Sequence, residues 1–240
     1  KIKKYRCNEL ACRRNCSTVP KIEEILEICN NNIILSNKIC REWLLKNLML
    51  LSIYELKLLI PWLINLGIKQ YKVFIDIVIP LCISNYELIY AFFFECEFFM
   101  KDKIFYYNLN NILNKFLYLI DKTIKKELYK TVDFVKFINE NIFLKLSTRV
   151  WEKQVNSWIN ENGPPKLPWD YSTECIGIVA EGITVFNSAT KPWKIPLIVR
   201  NINGEKIINI LVKFEDVRKD KLTMIVSKFL NIICKDIIDI

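Results

Sequence analysis

"WKIPLIVRNINGEKIINILVK", residues 193–213, decides the fold. Its two apolar runs, "WKIPLIV" and "KIINILVK", flank "RNINGE", where Asn203-Gly204 is a hairpin-turn signal. Two antiparallel strands follow from that pattern. A further short β-like run, "ECIGIVA" at 174–180, stands before them. Upstream the texture changes at "NENGPPKLPWDYS", where Gly163, Pro164, Pro165 and Pro168 punctuate the chain. Residues from about 20 to 160 read as helices. The expected class is therefore α+β: a helical domain over 1–160, a linker over 161–172, and a smaller sheet-plus-helix domain over 173–240.

The helical part carries its own signals. In "KIEEILEIC" Ile22, Ile25, Leu26 and Cys29 recur at helical spacing. Leu128, Val132, Val135, Ile138 and Ile142 form a second stripe. Ser52 with Glu55 and Ser84 with Glu87 each have capping-box spacing. Both fall in an S-x-Y-E-L pattern, a weak internal repeat of the kind stacked helical pairs show. Pro61 lies inside the first of these helices and predicts a kink or restart. Residues 88–100 are apolar on every side, which predicts a helix buried nearly all round.

Composition sets limits. With 240 residues, 52% of them hydrophobic, the chain can bury a sizeable core. Gly numbers 5 and His is absent, a bias that an AT-rich genome produces. The net charge of +9 fits an anionic membrane or nucleic-acid partner, or simply a solvated lysine surface. The positive charges are spread along the chain and no nucleic-acid-reading motif occurs, so nucleic acid is not expected as a partner. The 9 cysteines include no CxxC pair, and without His the cluster Cys7, Cys12 and Cys16 lacks an evident fourth zinc ligand. Buried free thiols in a reducing cytosol are expected. No secretory signal is visible, and the apolar stretches are interrupted by Pro61, Asn65, Glu95 and Glu97 before they reach membrane-spanning length. The chain starts at Lys1 and stops at "KDIIDI", and is read as a piece of a longer protein.

Directly after the hairpin the strand ends on Lys213, and Glu215, Asp216, Arg218, Lys219 and Asp220 follow. A helix is expected from about Glu215 to Cys234, with Leu222, Ile225, Val226, Phe229, Leu230 and Ile233 as its apolar stripe. Acids at its start complement the helix dipole. Strands, a hydroxyl-bearing loop, a strand-end lysine and then an acidic helix start form the order of parts in a kinase small lobe. Phosphoryl transfer needs fixed positive charge on the nucleotide phosphates, and an acid on the next helix can hold such a lysine in place.

A family resemblance sharpens this. "LPWDYSTECIGIVAEGITVFNSATKPWKI", from Leu167, resembles the start of the catalytic domain of phosphatidylinositol 3-kinases, most closely the class III, vacuolar-sorting type. The matched features are Gly177-Ile178, Glu181, Thr184, Phe186, Ser188, Ala189 and Pro192. "ILVKFEDVRKDKLTMIVSKFLNII" resembles the family's Ile-Phe-Lys-x-Gly-Asp-Asp-Leu-Arg-Gln-Asp motif and the helix after it. In the first half, "IPWLINLGIKQY" and "NYELIYAFFFECE" are similar to helices of the family's solenoid-like accessory domain. The resemblance covers most of the chain beyond about residue 40.

It implies a lipid kinase of membrane trafficking and autophagy. The whole enzyme would transfer the ATP γ-phosphate to the 3-hydroxyl of phosphatidylinositol, working in the cytoplasm as a peripheral protein on endosomal or other internal membranes. Carried over by residue, Ser188 supplies a hydroxyl to the phosphate-binding loop, Pro192 edges the adenine pocket and Leu211 lines it. Lys213 contacts ATP phosphate, and Asp220 positions that lysine. ATP and Mg²⁺ are the implied cofactors. The family's catalytic loop and metal ligands lie downstream of these motifs, so no catalytic and no metal-binding residue is assigned here. These 240 residues alone are therefore not expected to catalyse. A regulatory protein-kinase-like subunit and a preceding lipid-binding C2 domain are implied by the resemblance only.

This sequence departs from the family between Lys213 and Asp216, where Phe214-Glu215 is one residue short and lacks Gly, and at Lys219, where the family has Gln. A phosphatidylinositol 4-kinase suits Pro61 within "LIPWLINL". The TOR-related branch suits "EDVRKD". The stretch from Glu181 to Pro192 favours the 3-kinase over both. A non-catalytic helical scaffold with a degenerate kinase lobe is the reading from another class.

Overall fold

The computed structural model describes Ile25, residues 35–101, 103–143, 147–189 and 191–213, and Thr223, Met224 and Ser227. The fold is α+β, helices first and an antiparallel sheet after them. The chain divides into two compact units, Lys1–Ile120 and Asp121–Ile240.

The first unit contains α1 (Lys38–Leu48), α2 (Ile53–Lys69), α3 (Tyr71–Val73), a π-helical turn (Phe74–Val78), α4 (Ile79–Ile83), α5 (Tyr86–Phe99) and α6 (Lys103–Leu119). Asn37 starts α1, its side chain accepting the Ile39 N–H at 2.9 Å. At α2 the expected capping box forms: Ser52 Oγ accepts the Glu55 N–H, and the Glu55 carboxylate accepts the Ser52 N–H at 2.8 Å. The second box does not form. Asn85 caps α5 by accepting the Glu87 N–H at 2.8 Å, while Ser84 ends α4 and donates its hydroxyl to the Leu81 carbonyl at 2.6 Å. Asn85 reaches the helix start better by one residue, and Glu87 is drawn instead to Lys57 of α2, with which it forms an ion pair.

Pro61 does not interrupt α2, which runs through it as one helix. Proline removes one backbone bond there, but Leu58, Leu59, Ile60, Leu63 and Ile64 are all buried around it, and that packing outweighs the missing bond. Pro80 acts more visibly. It denies the Asp76 carbonyl its usual donor four residues on, and the helix widens into the π turn just before it. That turn pushes Phe74 against α2, where Gly67 has no Cβ to obstruct it: one placed there would stand 2.2 Å from the ring. Phe92 of α5 then fills the centre, its ring 6.3 Å from Phe74 and 4.6 Å from Phe116 of α6. The buried guanidinium of Arg41 is satisfied by Asp76 at 2.7 Å and by the carbonyls of Leu35 and Ser36.

The second unit opens with α7 (Lys122–Phe143) and α8 (Thr148–Asn162). The expected stripe on α7 is present but rotated. Ile124, Leu128, Thr131, Phe134, Ile138, Asn141 and Ile142 are buried, and Val132 and Val135 sit half-buried beside them. Gly163 ends α8 at φ 78°, a conformation that favours glycine. The strands are β1 (Lys166–Leu167), β2 (Asp170–Ile178), β3 (Thr184–Val185), β4 (Trp193–Asn201) and β5 (Gly204–Val212), with a 3₁₀ turn at Ala180–Gly182. The 161–172 stretch, read from sequence as a linker, thus contains the end of α8, β1 and the start of β2. The helices α7 and α8 belong to the same unit as the sheet.

β4 is the central strand. One edge pairs with β5 along its whole length, from Trp193↔Val212 to Asn201↔Gly204. The other edge is shared: β2 takes the far part (Ile178↔Leu197, Glu174↔Arg200) and β3 the near part (Thr184↔Lys194, Val185↔Trp193). The hairpin forms as the sequence predicts, with Ile202-Asn203 in the turn and Gly204 at φ 105° just after it. Ile195, Leu197 and Val199 of β4, with Ile208, Ile210 and Val212 of β5, pack against Trp151, Val155 and Ile159 of α8 and Phe134 and Ile138 of α7. Most of the expected helix after Glu215 lies outside the described residues, as do Cys7, Cys12 and Cys16. The described cysteines Cys40, Cys82, Cys96 and Cys175 are buried thiols outside any disulfide. Burial pushes the thiols of Cys82 and Cys96 well up, and that of Cys175 up to about 11, so none is a ready thiolate.

Candidate nucleotide-binding end of the sheet

Strand direction determines which residues meet. β4 begins where β5 ends, and β3 ends beside the start of β4. The loop 186–192 and Lys213 therefore emerge at one end of the sheet. The loop is tied by its own backbone. Phe186 N–H donates to the Pro192 carbonyl at 3.0 Å and closes the hairpin. Ser188 N–H donates to the Phe186 carbonyl at 3.0 Å, and Lys191 N–H to the Ser188 carbonyl at 3.1 Å. Lys191 sits at φ 42°, a left-handed conformation held by this turn.

Trp193 anchors the end from below. Its ring meets that of Trp151 edge-on at 6.1 Å inside the core of the second unit. With Trp193 turned inward, Pro192 and Lys194 on either side of it are fixed at the opening of the sheet. Glu152 of α8 adds a second tie by accepting the Ala180 N–H at 3.1 Å, which holds the 3₁₀ turn that leads into β3. Gly182 in that turn lies against Pro196, so closely that a Cβ would stand 2.4 Å from its ring.

Four of the five residues singled out in the sequence gather here. Ser188 is exposed in the loop, Pro192 is half-buried at its end, Leu211 is 59% exposed near the end of β5, and Lys213 is exposed just beyond that strand. Asp220 lies outside the described residues. Sequence reasoning passed over Lys194, which the strand register sets beside Leu211. The alternation of "WKIPLIV" was the available signal, since its lysine falls on the face opposite Trp193 and Ile195.

The other end of the sheet differs in charge. Glu174 is held by Lys166 and Arg200, each at 3.1 Å. Burial alone would raise the Glu174 pKa, but those two cations outweigh it and keep the carboxyl below the usual glutamate range. Among the described residues no three His, Cys, Asp or Glu side chains come together as a metal site, and no helix is long and apolar enough to cross a membrane.

No family model matches the chain, and no curated protein matches it.

Proposed function

We propose that this chain is the helical domain and small kinase lobe of a phosphatidylinositol 3-kinase, and that the loop end of its sheet receives ATP. The observation that supports the reading is the convergence of Ser188, Pro192, Leu211 and Lys213 at one end of a five-stranded antiparallel sheet. These residues come from two separated stretches of sequence, 188–192 and 211–213, which the pairing of β3, β4 and β5 brings to one end of the sheet.

The chemistry follows from residue type. A lysine leaving the end of a strand offers a charge whose origin is fixed by the sheet. A short loop closed by its own hydrogen bonds offers a hydroxyl at Ser188 and lets backbone N–H groups approach phosphate oxygens. Leu211 and Pro192 offer apolar surface for a base. In the whole enzyme the inositol 3-hydroxyl attacks the γ-phosphorus, the bond to the β,γ-bridging oxygen breaks, and ADP leaves. Lys213 holds phosphate during that transfer, and Asp220 holds Lys213. Mg²⁺ supplies further positive charge on the phosphates when bound. The resemblance assigns no metal ligand and no general base to these 240 residues, so this chain's share is to bind and orient the nucleotide.

The test is a lipid kinase assay with the full-length protein. Phosphatidylinositol vesicles and γ-labelled ATP are expected to yield the 3-phosphate, and Lys213→Met is expected to lower the rate about a hundredfold or more with an unchanged melting temperature. Product labelled at the 4-position overturns the 3-kinase assignment. A wild-type protein that binds no ATP overturns the kinase reading and favours the scaffold.

A further inference from the structure

Two segments distant in sequence meet on the surface of the first unit. One is the junction that follows α2, residues 69–75, and the other is the last part of α6, residues 115–119. Lys115 Nζ donates to the Tyr71 hydroxyl and stands 5.0 Å from the centre of the Tyr71 ring. That contact joins residues 44 apart in the chain and sets the two segments side by side. Lys69 ends α2 and Lys72 follows Tyr71, and both are exposed, as is Lys115. Ile75 lies one turn beyond Tyr71, and Tyr118 and Leu119 lie one turn beyond Lys115, so they border the same spot. Val73, Phe74, Phe116 and Leu117 take the inward positions. The outward ones are therefore left in water: Tyr71 is 48% exposed, Ile75 40%, Leu119 54% and Tyr118 87%.

Both segments are basic and neither carries an acid. No Asp or Glu occurs in residues 56–75 or in α6. The nearest acids along the chain are already engaged: Asp76 pairs with Arg41 at 2.7 Å, and Asp121 accepts the Thr123 N–H at 2.7 Å. Three lysines thus stand among exposed tyrosine, isoleucine and leucine side chains. An anionic bilayer matches every part of that mixture. Its headgroups attract the lysines, its boundary suits tyrosine, and the layer beneath takes up aliphatic side chains. A nucleic-acid backbone would use the lysines and leave Ile75 and Leu119 in water. We propose that this surface docks the protein on an anionic lipid bilayer. Lys69, Lys72 and Lys115 meet the headgroups, and Tyr71, Ile75, Tyr118 and Leu119 enter the interface. The lysines are dispersed in the sequence and brought together only by the fold. The proposal stands apart from the nucleotide-binding reading, which concerns residues of the second unit.

Sedimentation of the full-length protein with vesicles tests this. Phosphatidylcholine vesicles that contain phosphatidylserine are expected to bind it, and pure phosphatidylcholine vesicles to bind it far less. Phosphatidylinositol is left out, so that recognition of a substrate headgroup is not what is read. The double variant Lys69→Ala, Lys72→Ala is expected to weaken binding about tenfold or more at low salt. The variant Lys69→Arg, Lys72→Arg keeps the charge and is expected to stay near wild type. Leu119→Ser is expected to weaken binding severalfold at low and at high salt alike, because its share is apolar. Wild-type protein that ignores the anionic vesicles overturns the proposal, and so does an alanine double variant that binds them like wild type. Lysine-dependent binding to RNA or to an acidic peptide, with no competition from the vesicles, overturns it in favour of that partner. The alanine variant is expected to keep the ATP affinity of wild type, and joint loss of ATP and vesicle binding overturns the proposal as a general collapse. Wild-type protein that binds the vesicles but not ATP supports the docking surface while the nucleotide reading fails.

Discussion

The two units use the same apolar alphabet differently. In α5 of the first unit, Leu88, Ile89, Tyr90, Phe92, Phe93 and Cys96 are buried, and the remaining phenylalanines are half-covered. In β5 of the second unit, Ile208, Ile210 and Val212 turn inward while Ile207 and Leu211 are both 59% exposed. In a chain so rich in isoleucine and phenylalanine, residue type does not say which side faces water. Helix packing decides it in one unit and strand register in the other. The exposed apolar residues of β5 lie on the face that carries the candidate site.

The widest gap between the units is expected from truncating one residue in each. Phe92→Ala removes a fully buried ring from between Phe74 and Phe116 and is expected to cost about 3–5 kcal/mol. Leu211→Ala is expected to stay within about 0.5 kcal/mol, since most of its side chain is already in water. Denaturant unfolding of both variants checks this. A large loss from Leu211→Ala would mean that something covers that face.

Two glycines sharpen the contrast by a smaller amount. Gly67→Ala puts a methyl into the Phe74 ring, and Phe74 sits in a buried π turn with Ile77 and Val78, so about 1–3 kcal/mol is expected. Gly204→Ala meets open space and strains only the backbone at φ 105°, for about 1 kcal/mol. Hydrogen exchange localises the effects: the first should loosen amides of α2 and the π turn, and the second those of the β4–β5 hairpin. Equal spread of both losses would contradict the division into two units.

These differences also explain what could be read in advance. The hairpin was legible because Asn203-Gly204 is a local signal, and the box at Ser52 because its partner is three residues away. The box at Ser84 failed because Asn85 competes one residue on and Lys57 claims Glu87 from another helix. Pro61 misled because the burial that sustains α2 is tertiary. At the candidate site, Ser188, Pro192, Leu211 and Lys213 were found through ordered motifs. Lys194 was not: the alternation of "WKIPLIV" gives its face, but its place beside Leu211 follows from the pairing register with β5.

The smallest expected effect concerns the acid-bearing end of the sheet. Glu174 accepts from both Lys166 and Arg200, and its carboxyl is held below the usual range. A carboxyl whose folded pKa is depressed binds its proton more readily in the unfolded chain. Its contribution is therefore complete above the unfolded value of about 4.3 and is lost as pH falls through the lower folded value. Since the group is partly solvated, the contribution is about 1 kcal/mol or less. Melting of the second unit from pH 7 to pH 3 should show a downward slope below about pH 4.3 that Glu174→Gln flattens. The first unit's response to acid should be the same in both proteins. If Glu174→Gln loses as much stability in acid as wild type, the pairing with Lys166 and Arg200 contributes nothing to holding the sheet.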